Sequence, residues 1–217
     1  FPVADKKIQN FYSEKYGVVH PTKAGLKIPE IFDAAINREV KALWIIGEDV
    51  VQTDPNSAHV AKAMNALDLL VVQEIFLSET AKHADVVLPG TTFLEKEGTF
   101  TNTERRVQRV NRAAKPLPGT KPDGVIVTDM MQKLGYDQKS YDADEVLAEI
   151  ADVVPFFKGI TRKRLGKLGL QWPVKEDGTD TKILHQKEFK LGKGRIKYFD
   201  WKESSEIEKN KKDYPLI

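Results

Sequence analysis

LDLLVVQEIFLSETAKHADVVLPGTTFLEKEGTFTNTERRVQR, Leu67 to Arg109, places strand, short helix, strand and polar loop in one continuous pattern. An unbroken apolar run from Leu69 through Val71 and Val72 predicts a strand buried on both faces, as in a parallel sheet covered by helices. Gln73 and Glu74 mark its polar end. Ser78 is placed to cap a short helical turn over SETAKHA, and Val86 to Leu88 form a second apolar run cut by Pro89-Gly90. The unit is strand, crossover, strand.

Working outward on the N-terminal side, KALWIIGED gives a buried strand at Ala42 to Ile46 that ends in Gly47-Glu48-Asp49. Between the two strands, SAHVAKAMNAL sets Val60, Ala61, Met64 and Leu67 on one helical face, with Asn56 or Ser57 as cap. Before them, IPEIFDAAINREV carries Ile28, Ile31, Phe32, Ala35 and Ile36 at helical spacing with Pro29 in the first turn, closed by Asn37, Arg38 and Glu39. Phe1 to Lys27 shows no sustained period and reads as an arm. Three strands joined by short helical crossovers predict a right-handed, parallel, Rossmann-like open sheet with flanking helices, an α/β fold.

Towards the C-terminus, VIVTDMMQKLG from Val125 predicts a helix closed by Gly135. Asp144-Glu145 begins another, with Val146, Leu147, Ile150 and Val153 packing before Pro155. In KEFKLGKGRIKYFDW the region Gly192 to Gly194 between apolar alternations predicts a β-hairpin. The expected division is an N-terminal arm and helix over 1–40, an α/β domain over 41–136, and a helical segment, hairpin and linker over 137–217.

With 217 residues, 41% hydrophobic and 30% charged, the chain can bury a core. Its 34 basic and 32 acidic residues leave a formal net charge of +2, so no global basic excess points to nucleic acid. Basic clusters at Lys163 to Lys167, Lys187 to Lys197 and Lys209 to Lys212 are offset by nearby acids, and no base-stacking module accompanies them. There is no cysteine, hence no disulfide, thiolate metal site or iron-sulfur ligation inside the chain. No apolar run approaches the roughly 20 residues of a membrane helix, and FPVADKK lacks the features of a signal peptide. The expectation is a cytoplasmic protein, and a first residue that is Phe rather than Met points to a piece of something longer.

In an open parallel sheet, ligands settle beyond the carboxyl ends of the strands. Three polar clusters are expected there: Gly47-Glu48-Asp49, Gln73-Glu74 and Pro89-Gly90-Thr91-Thr92. A carboxylate at a strand end can accept ribose hydroxyls or the paired N–H donors of guanine; equally, Glu48 and Asp49 can simply start a solvated turn. The segment TTFLEKEGTFTNTERRVQRVNRAAKP has little periodicity until Val107, and a long irregular segment in a compact α/β unit is more often functional than not. Arg105, Arg106 and Arg109 there suit either phosphate clamping or a solvated face.

These residues also carry a resemblance. GED at Gly47 to Asp49, VVQEIFLSETAKHADVVLP from Val71 and FLEKEGTFTNTERRVQR from Phe93 resemble the cofactor-binding region of molybdopterin-dependent oxidoreductases. GITRKRLGKLGLQWPV (Gly159 to Val174) and ILHQKEFKLGKGRIKYFDW (Ile183 to Trp201) narrow the likeness to the catalytic alpha subunit of formate dehydrogenase. The similarity runs from about Lys23 to Trp201.

The resemblance implies binding of a molybdopterin guanine dinucleotide that carries molybdenum or tungsten. It also implies formate as substrate, oxidised to carbon dioxide by two electrons that leave through an iron-sulfur cluster towards electron-transfer subunits. It places Gly47, Glu48 and Asp49 at a guanosine end with Asp49 at the guanine and Thr53 close by. Gln73, Glu74 and Thr80 line the same nucleotide, Lys96 lies against phosphate oxygens, Glu104 and Arg105 continue round the cofactor, and Asp123 contacts the dinucleotide. Glu104 stands where some relatives have aspartate, one methylene shorter.

The family's metal-ligating cysteine or selenocysteine, catalytic histidine and cluster cysteines have no counterpart here, so no catalytic or metal-ligating residue is assigned. An internal fragment, inactive by itself, is expected. The alternatives are a nitrate reductase or a respiratory NADH dehydrogenase large subunit of the same superfamily, and a noncatalytic Rossmann-like binding module.

Overall fold

The computed structural model describes residues 4–189 and 191–202. Ten-residue-scale periodicity becomes structure first around three short strands, β1 (Ala42–Ile46), β2 (Leu69–Glu74) and β3 (Val86–Pro89). They form one parallel sheet in the order β1-β2-β3, with Ile46 level with Gln73 and Gln73 level with Leu88. That register lines up the carboxyl ends of all three strands. Backbone hydrogen bonds continue it outward, from Gly47 N–H to Gln73 O (2.9 Å) and from Gly90 N–H to Glu74 O (3.0 Å).

Helices α2 (Ile28–Ile36) and α4 (Ser57–Ala66) and the 3-10 turn Thr80–His83 cover one face of this sheet. Phe32, Ala35, Val60, Ala63, Met64, Leu70, Val72 and Ala81 form the core there. The expected caps hold, Asn56 rather than Ser57 accepting the His59 N–H (3.3 Å) and Ser78 the Ala81 N–H (3.2 Å); at the start of α2, Glu30 also accepts the Lys27 N–H (2.8 Å). A short α3 (Val50–Thr53) follows β1.

The expectation that β2 is buried on both faces is corrected. Leu70 and Val72 face the core, but on the opposite face Ile46, Leu69 and Val86 are 46, 42 and 43% exposed. That face is closed only towards its carboxyl edge, where the buried Gln73 meets Asp123 at the start of α5 (Asp123–Lys133). A continuous apolar run records what a strand can bury against, and this chain supplies a complete helical cover on one side only.

The segment after β3 is corrected too. Instead of an irregular loop it forms an antiparallel hairpin, β4 (Gly98–Thr101) with β5 (Arg106–Val110), and β6 (Leu170–Gln171) pairs with β5 as a third strand. Asn102 builds the turn, its carboxamide oxygen accepting the N–H groups of Glu104 (3.1 Å) and Arg106 (2.9 Å). Period-2 alternation is faint because only Val107 of β5 is fully buried. Val107 joins Leu147 of α6 (Ala143–Val153), Ile160, Leu165 of α7 (Arg162–Leu165) and Val174 in a second core.

The N-terminal arm contains a helix that its composition concealed, α1 (Lys6–Tyr16). It buries no residue, so apolar periodicity was absent, yet its ends were marked by an Asp5 cap (Lys7 N–H, 2.8 Å) and by Gly17 in the left-handed region.

The chain divides into two units, Phe1–Asp180 and Thr181–Ile217. In the second, the expected hairpin is not formed among the described residues: no strand occurs in 181–189 or 191–202, and Leu191 and Ile196 are fully exposed. A two-stranded hairpin is stable only when its apolar side is packed, and these side chains are not. Lys190, within that stretch, and the Lys209 to Lys212 cluster lie outside the described residues. No described helix is long and apolar enough to cross a membrane.

Candidate functional site

The singled-out residues gather into three groups. The first stands at the end of β1. Asp49 Oδ1 accepts hydrogen bonds from the Thr80 hydroxyl (2.6 Å) and the Thr80 N–H (2.9 Å), and Oδ2 accepts from the Glu79 N–H (3.3 Å). The carboxylate thus caps the 3-10 turn Thr80–His83, and Thr80, wholly buried, in turn accepts the Val51 N–H (3.0 Å). Beside it, exposed, the Thr53 hydroxyl donates to Glu48 (2.7 Å). With a further hydrogen bond from the Gln52 backbone, the protein takes up the roughly four acceptor positions of the Asp49 carboxylate.

The second group stands at the end of β2 and at the start of α5. Gln73 is 1% exposed, and its Nε2 donates to Asp123 Oδ1 (2.8 Å), while the Lys96 ammonium pairs with Asp123 Oδ2. Because the acceptor is a carboxylate, the amide must turn its nitrogen towards it, leaving Gln73 Oε1 buried and without a hydrogen-bond partner. Thr91 Oγ1, on a fully buried residue one step beyond Gly90, is likewise unpartnered. Gly90 itself sits so close that a Cβ there would lie 3.1 Å from Asp123 Oδ1. Orphaned polar atoms of this kind are rare in folded proteins and call for an explanation. Asp123 accepts from Gln73 on one oxygen and from Lys96 on the other, and from its own backbone N–H as well. Glu74, alongside, accepts the Ile75 N–H (2.7 Å).

The third group belongs to the β4–β5 hairpin. Glu104 accepts from Arg106 Nε (2.9 Å), Asn102 Nδ2 (3.1 Å) and Gln171 Nε2 (3.1 Å). The Arg105 guanidinium binds the Trp172 carbonyl and lies 5.8 Å from the centre of its ring. Both residues therefore fasten the hairpin to Gln171 and Trp172, and Arg106 and Arg109 are also engaged within the chain, the latter with Asn111 (3.1 Å).

Two contributors were not singled out in the sequence. Glu95 accepts from the Thr92 N–H (2.9 Å), the Thr92 hydroxyl (3.1 Å) and the Leu117 N–H (2.9 Å), which fixes the turn that presents Lys96. Its position next to Lys96 in EKEG was the available signal. Tyr141 carried none. Burial, and after it the charge of Asp123, pushes the Tyr141 phenol up, a mark of how closely the two approach.

Burial of Asp49 and Asp123 disfavours their charged forms, but hydrogen bonds outweigh it, from Thr80 and Glu79 for Asp49 and from Lys96 and Gln73 for Asp123. Both carboxyls are held below the ordinary value. A folded-state pKa below the unfolded one means that the folded chain binds fewer protons. Their stabilisation is complete above the usual carboxylate range near about 4 and is lost as pH falls through the lower folded values. Thermal melts at constant ionic strength are expected to be level from about pH 7 to 5 and to drop below about 4, with a smaller drop in Asp123→Asn. An unchanged acid limb in that variant would remove Asp123 from the account.

Among the described residues no group of three or more His, Asp or Glu is arranged to hold a metal ion. The residues at the carboxyl edge fit an organic cofactor that brings hydrogen-bond donors: the carbonyl of Gln73 is orphaned beside the Asp123 carboxylate.

The family model described as molybdopterin oxidoreductase matches residues 10–133. A formate dehydrogenase alpha subunit of Methanocaldococcus jannaschii is 45% identical over 197 residues, which is 89% of this chain and 29% of that protein. A Staphylococcus haemolyticus protein named for formate dehydrogenase is 40% identical over 198 residues, 91% of this chain and 20% of that one. The chain thus spans between a fifth and three tenths of the length of these relatives. Among solved structures, acetylene hydratase from Pelobacter acetylenicus aligns with a TM-score of 0.48 and 23% identity over 59% of this chain and 19% of that one. With more than half of its residues matched by the family model, the chain belongs to the molybdopterin oxidoreductase family.

Proposed function

We propose that the chain is the portion of a formate dehydrogenase alpha subunit that binds the guanine dinucleotide part of a molybdopterin cofactor carrying molybdenum or tungsten. The names of the relatives favour formate dehydrogenase over nitrate reductase or an NADH dehydrogenase subunit, and family membership favours a cofactor role over a noncatalytic module. The bound group would supply the two-electron chemistry that turns formate into carbon dioxide. An iron-sulfur cluster outside this chain and electron-transfer subunits would carry the electrons away, in a cytoplasmic enzyme.

The residues proposed for the cofactor are Gly47, Glu48, Asp49 and Thr53 after β1, Gln73 and Glu74 at the end of β2, Thr80, Lys96, Glu104, Arg105 and Asp123, with 41–136 as the cofactor-binding portion. The observation that supports this best is the orphaned Gln73 Oε1 beside the Asp123 carboxylate at the carboxyl edge of a parallel sheet. Asp123, a carboxylate at that edge, suits paired donors such as the ring N–H and amine of guanine.

Calorimetric titration of the chain with GMP is the test. Hydrogen bonds to a charged group contribute about 1.5–3 kcal/mol, so Asp123→Asn is expected to weaken binding by at least about tenfold. Binding that survives Asp123→Asn unchanged would refute the assignment.

A further inference from the structure

Helix α1 joins the two cores without belonging to either. The chain leads from it through 17–27 into α2, which packs on the first core. Two side-chain contacts tie its last turn to α6, beside the second core: the Lys15 ammonium pairs with Asp152, and the Tyr16 hydroxyl donates to Glu149 (2.7 Å). No residue of α1 is buried, and its 11 residues fall below the roughly 12–15 at which a helix becomes even marginally stable alone in water. The Asp5 and Gly17 caps say where it ends without supplying the packing it lacks. The pair that holds it is open to solvent, the Lys15 and Asp152 side chains being 40 and 62% exposed, and such pairs are weak and screened by salt.

The sequence of α6 explains why the contact forms there. Glu145, Glu149 and Asp152, at i, i+4 and i+7, share one side of a helix that carries no basic residue. Asp152 stands in its last turn, where the helix dipole opposes negative charge, and Lys15 answers that charge. Burial, and after it the hydrogen bond to Glu149, pushes the Tyr16 phenol up to about 12, so the hydroxyl keeps its proton to donate at neutral pH. Asp152 also lines a cleft of about 470 Å³ together with Leu147, Ala148, Ala151 and Ile160, and no residue of α1 lines it.

We propose that α1 is an electrostatic strap with two states. Docked, it is helical and occupies Asp152 and Glu149. Released by rising ionic strength, it loses its helix and returns the Asp152 carboxylate to the cleft, so the charge at the mouth of that cleft follows the salt concentration.

The test is hydrogen exchange at neutral pH, read by mass spectrometry on residues 6–16 and 57–66 of the whole chain. At about 0.05 M salt, amides of 6–16 are expected to exchange at least about fivefold faster in Glu149→Gln/Asp152→Asn than in the parent, since both contacts are weakened. About 0.5 M salt should bring the parent within about twofold of that variant. The variant leaves the sequence of α1 unchanged, and removing acids near the end of α6 relieves that helix. Residues 57–66, packed on the first core, should therefore change by less than about twofold. Lys15→Ala adds a test of sign. Alanine is the better helix former, so a helix standing on its own propensity would exchange more slowly, whereas a docked one exchanges faster. Exchange in 6–16 that ignores both salt and the α6 variant, or that slows in Lys15→Ala, overturns the strap. Equal acceleration of 57–66 would ascribe the change to general unfolding and overturn it as well.

Discussion

Replacing Gly159 with alanine is expected to lower the melting temperature by about 6 °C or more. Gly159 is buried between the second core and the strand-like segment after β6, its N–H donating to the Val174 carbonyl (3.2 Å). A Cβ built there would overlap the Lys175 carbonyl oxygen and press on the Val174 side chain. The obstacle is backbone, which cannot rotate away as a flexible side chain would. The 156–175 segment must open instead, and Phe157, Ile160 and Val174 would lose packing in the second core. Core distortions of this type cost about 3 kcal/mol or more, and in a chain of this size each kcal/mol corresponds to about 2–4 °C. Scanning calorimetry of the variant against the parent reads the effect directly. A change below about 2 °C would mean that the contact between Gly159 and the 174–175 backbone is looser than described. At Gly17, where nothing lies within 4 Å of the added atom but φ is +65°, alanine should show only the smaller strain of a left-handed residue.

Asp49→Ala is expected to destabilise the chain by about 2–3 kcal/mol with no ligand present. The substitution removes the acceptor of three hydrogen bonds, from the Thr80 hydroxyl, the Thr80 N–H and the Glu79 N–H. It leaves the hydroxyl hydrogen of a wholly buried Thr80 with nothing to donate to. Leaving a buried donor unsatisfied costs about 1–3 kcal/mol, and loss of the cap on the 3-10 turn adds to it. Asp49→Asn retains one carboxamide oxygen for Thr80 and should cost about half as much. Urea denaturation of the three proteins separates the cases. If alanine and asparagine cost the same, charge rather than hydrogen bonding holds the turn; if neither costs anything, Asp49 is free for a ligand and not part of the scaffold. This has a bearing on function, because a loss of ligand affinity in Asp49→Ala would mix a structural effect with a binding one. Asp123→Asn shares the difficulty in part, since Asp123 holds the buried Gln73 amide and the Lys96 ammonium, so its melting temperature is to be read beside its affinity.

The chain's own sequence determined the three strands of the parallel sheet and most of its helices, because those depend on neighbours within a turn or two. Apolar spacing at Phe32, Ala35, Val60 and Met64 marked helix faces, and those residues are the ones that pack on β2. Asn56, Ser78 and Gly135 stopped or started elements where local hydrogen bonding or backbone freedom demanded it. The parallel order followed from the shortness of the crossovers. Even α1, which buries nothing, had its ends written in Asp5 and Gly17.

What tertiary structure alone decided is which of these pieces meet. Gln73, Lys96 and Asp123 are separated by 23 and 27 positions, and no periodicity states that an amide, an ammonium and a carboxylate from three elements will share one point. Glu104 and Arg105, which the resemblance places round the cofactor, also hold Gln171 and Trp172, because β6 pairs with β5 across more than sixty residues. The strands' apolar runs implied two covered faces, whereas only one is fully covered here, since a run of valines and leucines states an appetite for burial and not the presence of a partner. Likewise Tyr141 meets the start of α5 only because Gly124, lacking a Cβ, lets a ring from a later segment rest on the helix that starts beside Asp123.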